Sequence, residues 1–343
     1  MKKVAILGVG SWGTAQALVL SRNVPRVFLW GRPADGVENI NAARENQIFL
    51  PGIHIPENVE VTPDLEMALA GAEMVVLAVP AQAIREVLDT IKLRLPAGSI
   101  LVNTAKGLEI ETGMRMSQVV EDLLGPQARE CYAVLSGPSH AEEVGKRIPT
   151  AVTVAAFKKQ TAFAVQDVYM SPVFRVYTHP DVAGVELGGA LKNIVALATG
   201  MTSGLGYGDN TRAALLTRGL AEMIRIGVAL GGDARTFSGL SGIGDLVVTC
   251  GSPHSRNHRA GEMLGRGLGL AETLQEVGMV VEGVHTTRAV YQLSRQMNVD
   301  MPICAAVHRI LYEGAGVRDE VDYLMKRRKK HEIEEGAKNI TGW

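Results

Sequence analysis

The stretch 3-KVAILGVGSWGTAQALVL-20 decides how the rest of the chain is read. An apolar run ends at a glycine-rich turn, and a second apolar stretch rich in small residues follows. Gly8, Gly10 and Gly13 fit the spacing G-x-G-x-x-G, placed directly after a strand and opening a helix. In that setting Gly8 permits the tight turn and Gly10 lets a pyrophosphate approach the backbone. Gly13 allows close helix–strand packing, and the helix N-terminus attracts the anion. Lys2-Lys3, the apolar run and Ala15-Gln16-Ala17 also loosely mimic a secretory signal. The glycines interrupt that run and make better sense as a phosphate loop.

Working outward, further apolar runs recur at RVFLW (26–30), VEVT (59–62), MVVLAVP (74–80), SILVNTA (99–105), YAVLSG (132–137), TAVTVAA (150–156) and FRVYT (174–178). Stretches of 3.6-residue periodicity, such as AQAIREVLDTIK (81–92), separate most of them. Several runs are apolar throughout, as expected of a parallel sheet covered on both faces. The pattern changes near His179-Pro180-Asp181, beyond which only helical stretches follow. In NTRAALLTRGLAEMIRIGVAL (210–230), Leu215, Leu220, Met223, Ile224 and Val228 are the expected core residues. The fold class is therefore α/β: an N-terminal Rossmann-type doubly wound sheet over 1–178, then an all-α domain over 179–343. A ligand cleft between two unlike domains is the natural expectation.

Bulk composition agrees. The chain has 343 residues, 46% hydrophobic, and its 35 Lys+Arg against 36 Asp+Glu leave a net charge of −1. No global basic field exists to hold nucleic acid. Cys131, Cys250 and Cys304 are too widely spaced for a zinc site or a disulfide framework, so no metal is expected and a cytoplasmic location fits best. No stretch reads as long and apolar enough to span a membrane. The basic run 326–330 reads as a solvated helix face, and the tail NITGW suggests no assignment.

Candidate binding groups lie after the strands and in glycine-rich loops. The second strand ends in Trp30-Gly31-Arg32, with no carboxylate before Asp35. A guanidinium there suits the 2′-phosphate of NADP(H), so NADP(H) is expected to be accepted and preferred over NAD(H). Lys106 in 104-TAKGL-108 sits just after a strand, at the sheet edge where ligands bind. 136-SGPSHAEE-143 contains a capping box from Ser139 to Glu142. 241-SGIGDL-246 carries Asp245, and 251-GSPHSRN-257 offers Ser255, Arg256 and Asn257 as donors suited to a phosphate. In 187-LGGALKNIVALATG-200 one lysine, Lys192, stands on a helix whose nearby turns offer it no acidic partner.

GVGSWG, NTAKGLE, LSGPSHAEEV, ELGGALKN, SGIGDLVVTC, SPHSRN and VVEG occur here in the order and spacing of one family. The chain resembles, over nearly its whole length, the bacterial NAD(P)-dependent glycerol-3-phosphate dehydrogenases. The resemblance implies reversible reduction of dihydroxyacetone phosphate to sn-glycerol 3-phosphate, a phospholipid precursor, with NAD(P)H. It implies Lys192 as general acid/base, Lys106 between cofactor and substrate, and Asp245 in the substrate site. Gly137, Ser139, Ser255, Arg256 and Asn257 match substrate positions; Ser11, Trp12, Arg32, Lys106, Ala141, Arg256, Val280 and Glu282 match positions around the dinucleotide. His140 departs modestly from the family pattern and is read as structural. The implied partners are a small phosphorylated substrate and a second copy of the chain in a homodimer, without nucleic acid or stable membrane insertion.

Those roles have a physical logic. Reducing a ketone builds negative charge on oxygen, which an ammonium in a dry cleft can stabilise and protonate. The apolar helix should lower the Lys192 pKa, a nearby Asp245 should oppose that, and Gly188 and Gly189 should leave the approach open. Two alternatives share part of the pattern. A 3-hydroxy-acid dehydrogenase would have the glycine loop and helical lysine but no use for SPHSRN. A non-catalytic NADPH sensor would need neither Lys192 nor that loop.

Overall fold

The apolar runs become one eight-stranded sheet in the computed structural model, which describes residues 1–329. In chain order the strands are β1 (Lys3–Leu7), β2 (Arg26–Trp30), β3 (Val59–Thr62), β4 (Met74–Leu77), β5 (Ile100–Asn103), β6 (Tyr132–Ser136), β7 (Thr150–Ala156) and β8 (Phe174–His179). Read across the sheet the order is β3-β2-β1-β4-β5-β6-β7-β8. The order therefore turns between β1 and β4, the switch point outside which ligands bind in doubly wound sheets. Burial of both faces explains the unbroken apolar runs. Along β1, Val4 and Ile6 join the core on one face while Ala5 and Leu7 join the core on the other.

The sheet is not wholly parallel as the sequence suggested. β6 and β7 run antiparallel, with Ala133 opposite Ala156 and Ser136 opposite Thr153. The segment between them holds only the five-residue helix Ala141–Gly145, and its residues 139–141 line the ligand cavity. The chain stays at the carboxyl edge of the sheet instead of crossing a face, so β7 must start where β6 ends. A small antiparallel pair, Glu45–Asn46 with Leu50–His54, was not legible as strands.

Helices make up the described chain beyond β8. At their centre runs the helix Val182–Gly204, which is apolar and long enough to cross a bilayer, contrary to the sequence reading. Its most apolar window is 94% buried inside the protein, which accounts for that composition without a membrane. Glycines let it meet its neighbours backbone to backbone. A Cβ at Gly200 would lie 2.1 Å from the His258 carbonyl oxygen, and one at Gly261 would lie 2.2 Å from that of Leu197. Gly188 and Gly189 serve the same end, not an open approach for substrate. A Cβ at Gly188 would fall 2.5 Å from the Ser241 carbonyl oxygen, and one at Gly189 would fall 2.7 Å from Ser136 Oγ.

In the following helix, Asp209–Ala229, Met223 is buried and Leu215, Leu220 and Ile224 pack partly against the core. Val228 is 47% exposed while Ile226 is fully buried, so Val228 faces outward where the helix still touches the core. The helix Val317–Met325 stops before the basic run, so Lys326 to Lys329 do not form a helix face; Arg327 bonds Asp300. Lys330 and the NITGW tail lie outside the described residues.

One buried carboxylate ties the central helix to the sheet half. Glu186 accepts hydrogen bonds from Ser117 N at 2.8 Å, Ser117 Oγ at 2.6 Å, Arg115 Nη1 at 2.9 Å and Tyr132 Oη at 2.5 Å. Removing it leaves a partly buried guanidinium without its counter-charge and takes the acceptor from Ser117 N, Ser117 Oγ and Tyr132 Oη. Glu186→Ala is expected to cost about 3–5 kcal/mol, the scale for breaking a buried ion pair from one side. Urea unfolding checks this; a loss below about 1 kcal/mol would mean the carboxylate is not what joins the halves.

Candidate active site

A cavity of about 660 Å³ opens between the sheet's carboxyl edge and the helical half. Most sequence-derived site residues line it. Gly8, Gly10, Ser11 and Trp12 come from the first turn, Arg32 follows β2, and Lys106 follows β5. Ser139 and Ala141 come from the loop after β6. The helical half contributes Lys192, Asp245, Ser255, Arg256, Asn257, Val280 and Glu282. Gly13 and Gly137 are not among the lining residues. Gly13 packs beneath the loop, where a Cβ would lie 1.9 Å from the Gly8 carbonyl oxygen. Gly137 turns its carbonyl to Lys106.

At the chemical centre one carboxylate holds two ammonium groups. Asp245 Oδ2 accepts from Lys106 Nζ at 2.7 Å, and its Oδ1 accepts from Lys192 Nζ. Lys106 Nζ also donates to the Gly137 carbonyl at 3.0 Å, and Lys192 Nζ donates to Thr249 Oγ1 at 2.7 Å. The Lys192 and Asp245 side chains are only 6% and 2% exposed. Burial is the largest influence on Lys192 and brings its pKa down to about 7, although Asp245 pulls the other way. Burial would by itself raise the Asp245 carboxyl, but the two ammonium groups outweigh it and hold it below its ordinary value. Lys192 is thus an amine that changes protonation near neutral pH beside an acceptor that stays ionised.

Asn193 and Thr249, which the sequence reading passed over, set this geometry. Thr249 stands one helical turn after Asp245 and bonds both members of the pair. Asn193 Nδ2 donates to the Lys106 carbonyl at 3.2 Å, while its Oδ1 accepts from Asn257 Nδ2 at 2.9 Å. Asn257 Oδ1 in turn accepts from Gly283 N at 2.8 Å. Adjacency to Lys192, and an i,i+4 hydroxyl beside Asp245, were the available signals.

The anion-binding groups are arranged differently from the sequence expectation. Ser255 caps the helix Arg256–Gly265 by accepting from His258 N at 3.2 Å. Asn257 spends both ends of its amide inside the protein. The Arg256 guanidinium has no hydrogen bond among the described residues; burial lowers its pKa, with Glu282 and Glu142 opposing. The free guanidinium is the donor left for an anion. The Ser139–Glu142 capping box does not form. His140 occupies the cap position without a side-chain bond, because Ser139 Oγ turns back to the Gly137 carbonyl at 2.9 Å. Burial foremost, with Lys192 and Lys106, lowers the His140 pKa, and its ring tilts against His254.

The remainder of the cavity fits a dinucleotide. Gly8 has φ +121°, a backbone only glycine adopts freely, and its amide donates to the Trp30 carbonyl at 2.8 Å. A Cβ at Gly10 would meet nothing within 4 Å, which leaves the backbone there open to a ligand. Trp12 Nε1 and Glu282 Oε2 are buried polar atoms with no hydrogen-bond partner among the described residues, and both residues line the cavity. Glu282 Oε1 accepts from Ala81 N at 2.9 Å, bridging the two halves across the cofactor pocket.

Comparison with known proteins agrees with this arrangement. Residues 3–162 match the NAD-dependent glycerol-3-phosphate dehydrogenase N-terminus, and residues 181–322 match the C-terminus of the same family. A glycerol-3-phosphate dehydrogenase [NAD(P)+] of Syntrophomonas wolfei is 64% identical over 343 residues, covering 100% of both chains. That of Bacillus licheniformis is 54% identical over 98% of this chain and 97% of its own. The crystal structure of glycerol-3-phosphate dehydrogenase from Coxiella burnetii superposes with a TM-score of 0.91 at 40% identity, covering 95% of this chain and 99% of that one. The chain belongs to the NAD-dependent glycerol-3-phosphate dehydrogenase family.

The trio predicts its own titration. Because Asp245 raises the Lys192 pKa against burial, Asp245→Asn should move that pKa below about 7. Reductive ¹³C-methylation of the lysines and NMR titration, with Lys192→Arg to assign the signal, reads this directly. A Lys192 signal titrating above pH 9 in the unsubstituted protein would contradict the burial argument.

Proposed function

We propose that this enzyme interconverts dihydroxyacetone phosphate and sn-glycerol 3-phosphate with NAD(P)H as the reductant. The observation that carries the proposal is a buried Lys192 ammonium, paired to Asp245, in the same cavity as the glycine loop and the unpaired Arg256. When bound, the nicotinamide supplies the hydride. The chain's own groups do the rest. Gly8, Gly10, Ser11 and Trp12, with Ala141, Val280 and Glu282, surround the dinucleotide, Gly13 supports the loop from beneath, and Arg32 faces the 2′ position of its adenosine ribose. Arg256 holds the substrate phosphate, with Ser139 in the same cavity; Ser255 and Asn257 fix the start of the Arg256 helix, and Gly137 positions Lys106 through its carbonyl. Lys106 stands between the two ligands.

As carbon gains hydrogen, the substrate oxygen becomes negative. The Lys192 ammonium stabilises it and gives up its proton, leaving an alcohol and a neutral amine. In the oxidative direction the neutral amine takes the proton back. Asp245, held ionised by two cations, orients both lysines and keeps the buried positive charge tolerable. We infer the domain boundary at 178/179, next to the end of β8 at His179 and ahead of the first helix of the second half, which opens at Val182. Three unpaired cysteines suit a reducing cytoplasm, and the family resemblance supports a homodimer.

Three outcomes test this. Lys192→Ala should lower kcat by about 10²–10⁴-fold, the scale for a positioned acid/base. Near-normal turnover in a folded variant would remove Lys192 from the mechanism. Arg256→Ala should chiefly raise KM for dihydroxyacetone phosphate, and a flat KM would move the phosphate site elsewhere. The ammonium is the acid, so reduction should weaken as pH rises through about 7, and oxidation should strengthen over the same interval. Profiles of kcat in both directions check the sign.

A further inference from the structure

The cofactor end of the cavity contains a carboxylate that the proposed chemistry has not used. After β2 the chain makes a single tight turn, Pro33–Asp35, and the Asp35 side chain reaches back to the residue where the turn begins. Its Oδ2 accepts from Arg32 N at 2.8 Å and from Arg32 Nε at 3.1 Å, while Oδ1 accepts from Arg32 Nη2 at 2.9 Å. The turn is built to hold that position. Pro33 presets its first backbone angle, and Gly36 closes it at φ +75°. Gly31 packs so tightly that a Cβ would lie 2.6 Å from the Val9 side chain. The Arg32 side chain is 73% exposed and that of Asp35 only 22%, so the carboxylate is the anchored member of the pair. Both line the cavity, as does Glu86 from the facing helix.

We propose that Asp35 is a specificity-determining residue that attenuates Arg32, so that cofactors with and without a 2′-phosphate are both accepted. This rests on the reading that Arg32 faces the 2′ position of the ribose. A guanidinium offers five N–H donors, and Asp35 takes the fork formed by Nε and Nη2. The Nη1 group and the second Nη2 hydrogen remain for a phosphate. A 2′-phosphate bound there approaches the fixed negative charge of Asp35, with Glu86 adding to the repulsion. A 2′-hydroxyl meets no such penalty and can donate to the carboxylate, the recognition used at strand ends in NAD-binding sheets. Arginine and aspartate thus pull the preference in opposite directions.

The test compares Asp35→Asn, Arg32→Ala and the double variant. NADPH and NADH dissociation constants come from isothermal titration calorimetry, and kcat/KM is measured with dihydroxyacetone phosphate. Asp35→Asn keeps an oxygen to accept the Arg32 backbone bond, so the turn is preserved; thermal melting verifies folding, and Asp35→Ser repeats the test with a smaller group. Loss of one nearby charge should tighten NADPH binding relative to NADH by about five- to tenfold. Arg32→Ala should lower the same ratio, and in that background Asp35→Asn should no longer raise it. A ratio unchanged by Arg32→Ala overturns the placement of Arg32 itself. A ratio that responds to Arg32→Ala but stays within twofold in both folded Asp35 variants overturns the role of Asp35 alone.

Discussion

The site depends on one carboxylate shared by two cations. Asp245 belongs to the helical half, Lys192 to the central helix and Lys106 to the loop after β5, so a single side chain joins three elements. Charges this deeply buried persist only when paired and hydrogen-bonded. One carboxylate against two ammonium groups leaves a net positive charge at the cavity wall, where a reacting oxygen turns negative. The same imbalance that makes the cluster costly in an empty protein makes it complementary to an anionic transition state.

Holding that cluster requires the halves to meet in one register, and the structure spends several polar contacts on it. Glu186 fixes the central helix to β6 and the segment at 115–117. Two residues beyond it, the Gly188 and Gly189 surfaces bring the helix against Ser241 and Ser136, and a few residues later Asn193 reaches the Lys106 carbonyl. Helix Arg256–Gly265 lies against the same helix through paired glycines, which sets Ser255 and Arg256 in the cavity wall. Substrate groups and cofactor groups are therefore referenced to one rigid rod.

Much of the fold was legible because its signals are local or periodic. Eight strand-like runs became eight strands; the inner ones are nearly continuous in apolar residues because both their faces are buried, while the edge strands β3 and β8 alternate, with Glu60, Arg175 and Tyr177 exposed. Strand direction leaves no such mark. The antiparallel β6–β7 pair depends on whether the connecting segment crosses a face, and that is settled by how far five helical residues can reach. The Ser139 cap and the Val228 stripe failed for a related reason. A hydroxyl with a nearby carbonyl chooses between partners in space, and which side of a helix meets the core is fixed by its neighbours, so that Val228 is exposed while Ile226 is buried.

By itself the sequence determined the phosphate loop, the change from sheet to helices and the residue types needed for proton transfer, because backbone freedom, burial and side-chain chemistry belong to individual residues. Only the tertiary structure decided that Asp245 would grip both lysines, that Asn257 would face inward while Arg256 remained free, and that Asp35 would turn back onto Arg32. Those outcomes turn on separations of a few ångströms between residues distant along the chain or across a turn. Coulombic and hydrogen-bonding energies change steeply over such distances, and no spacing in the sequence records them.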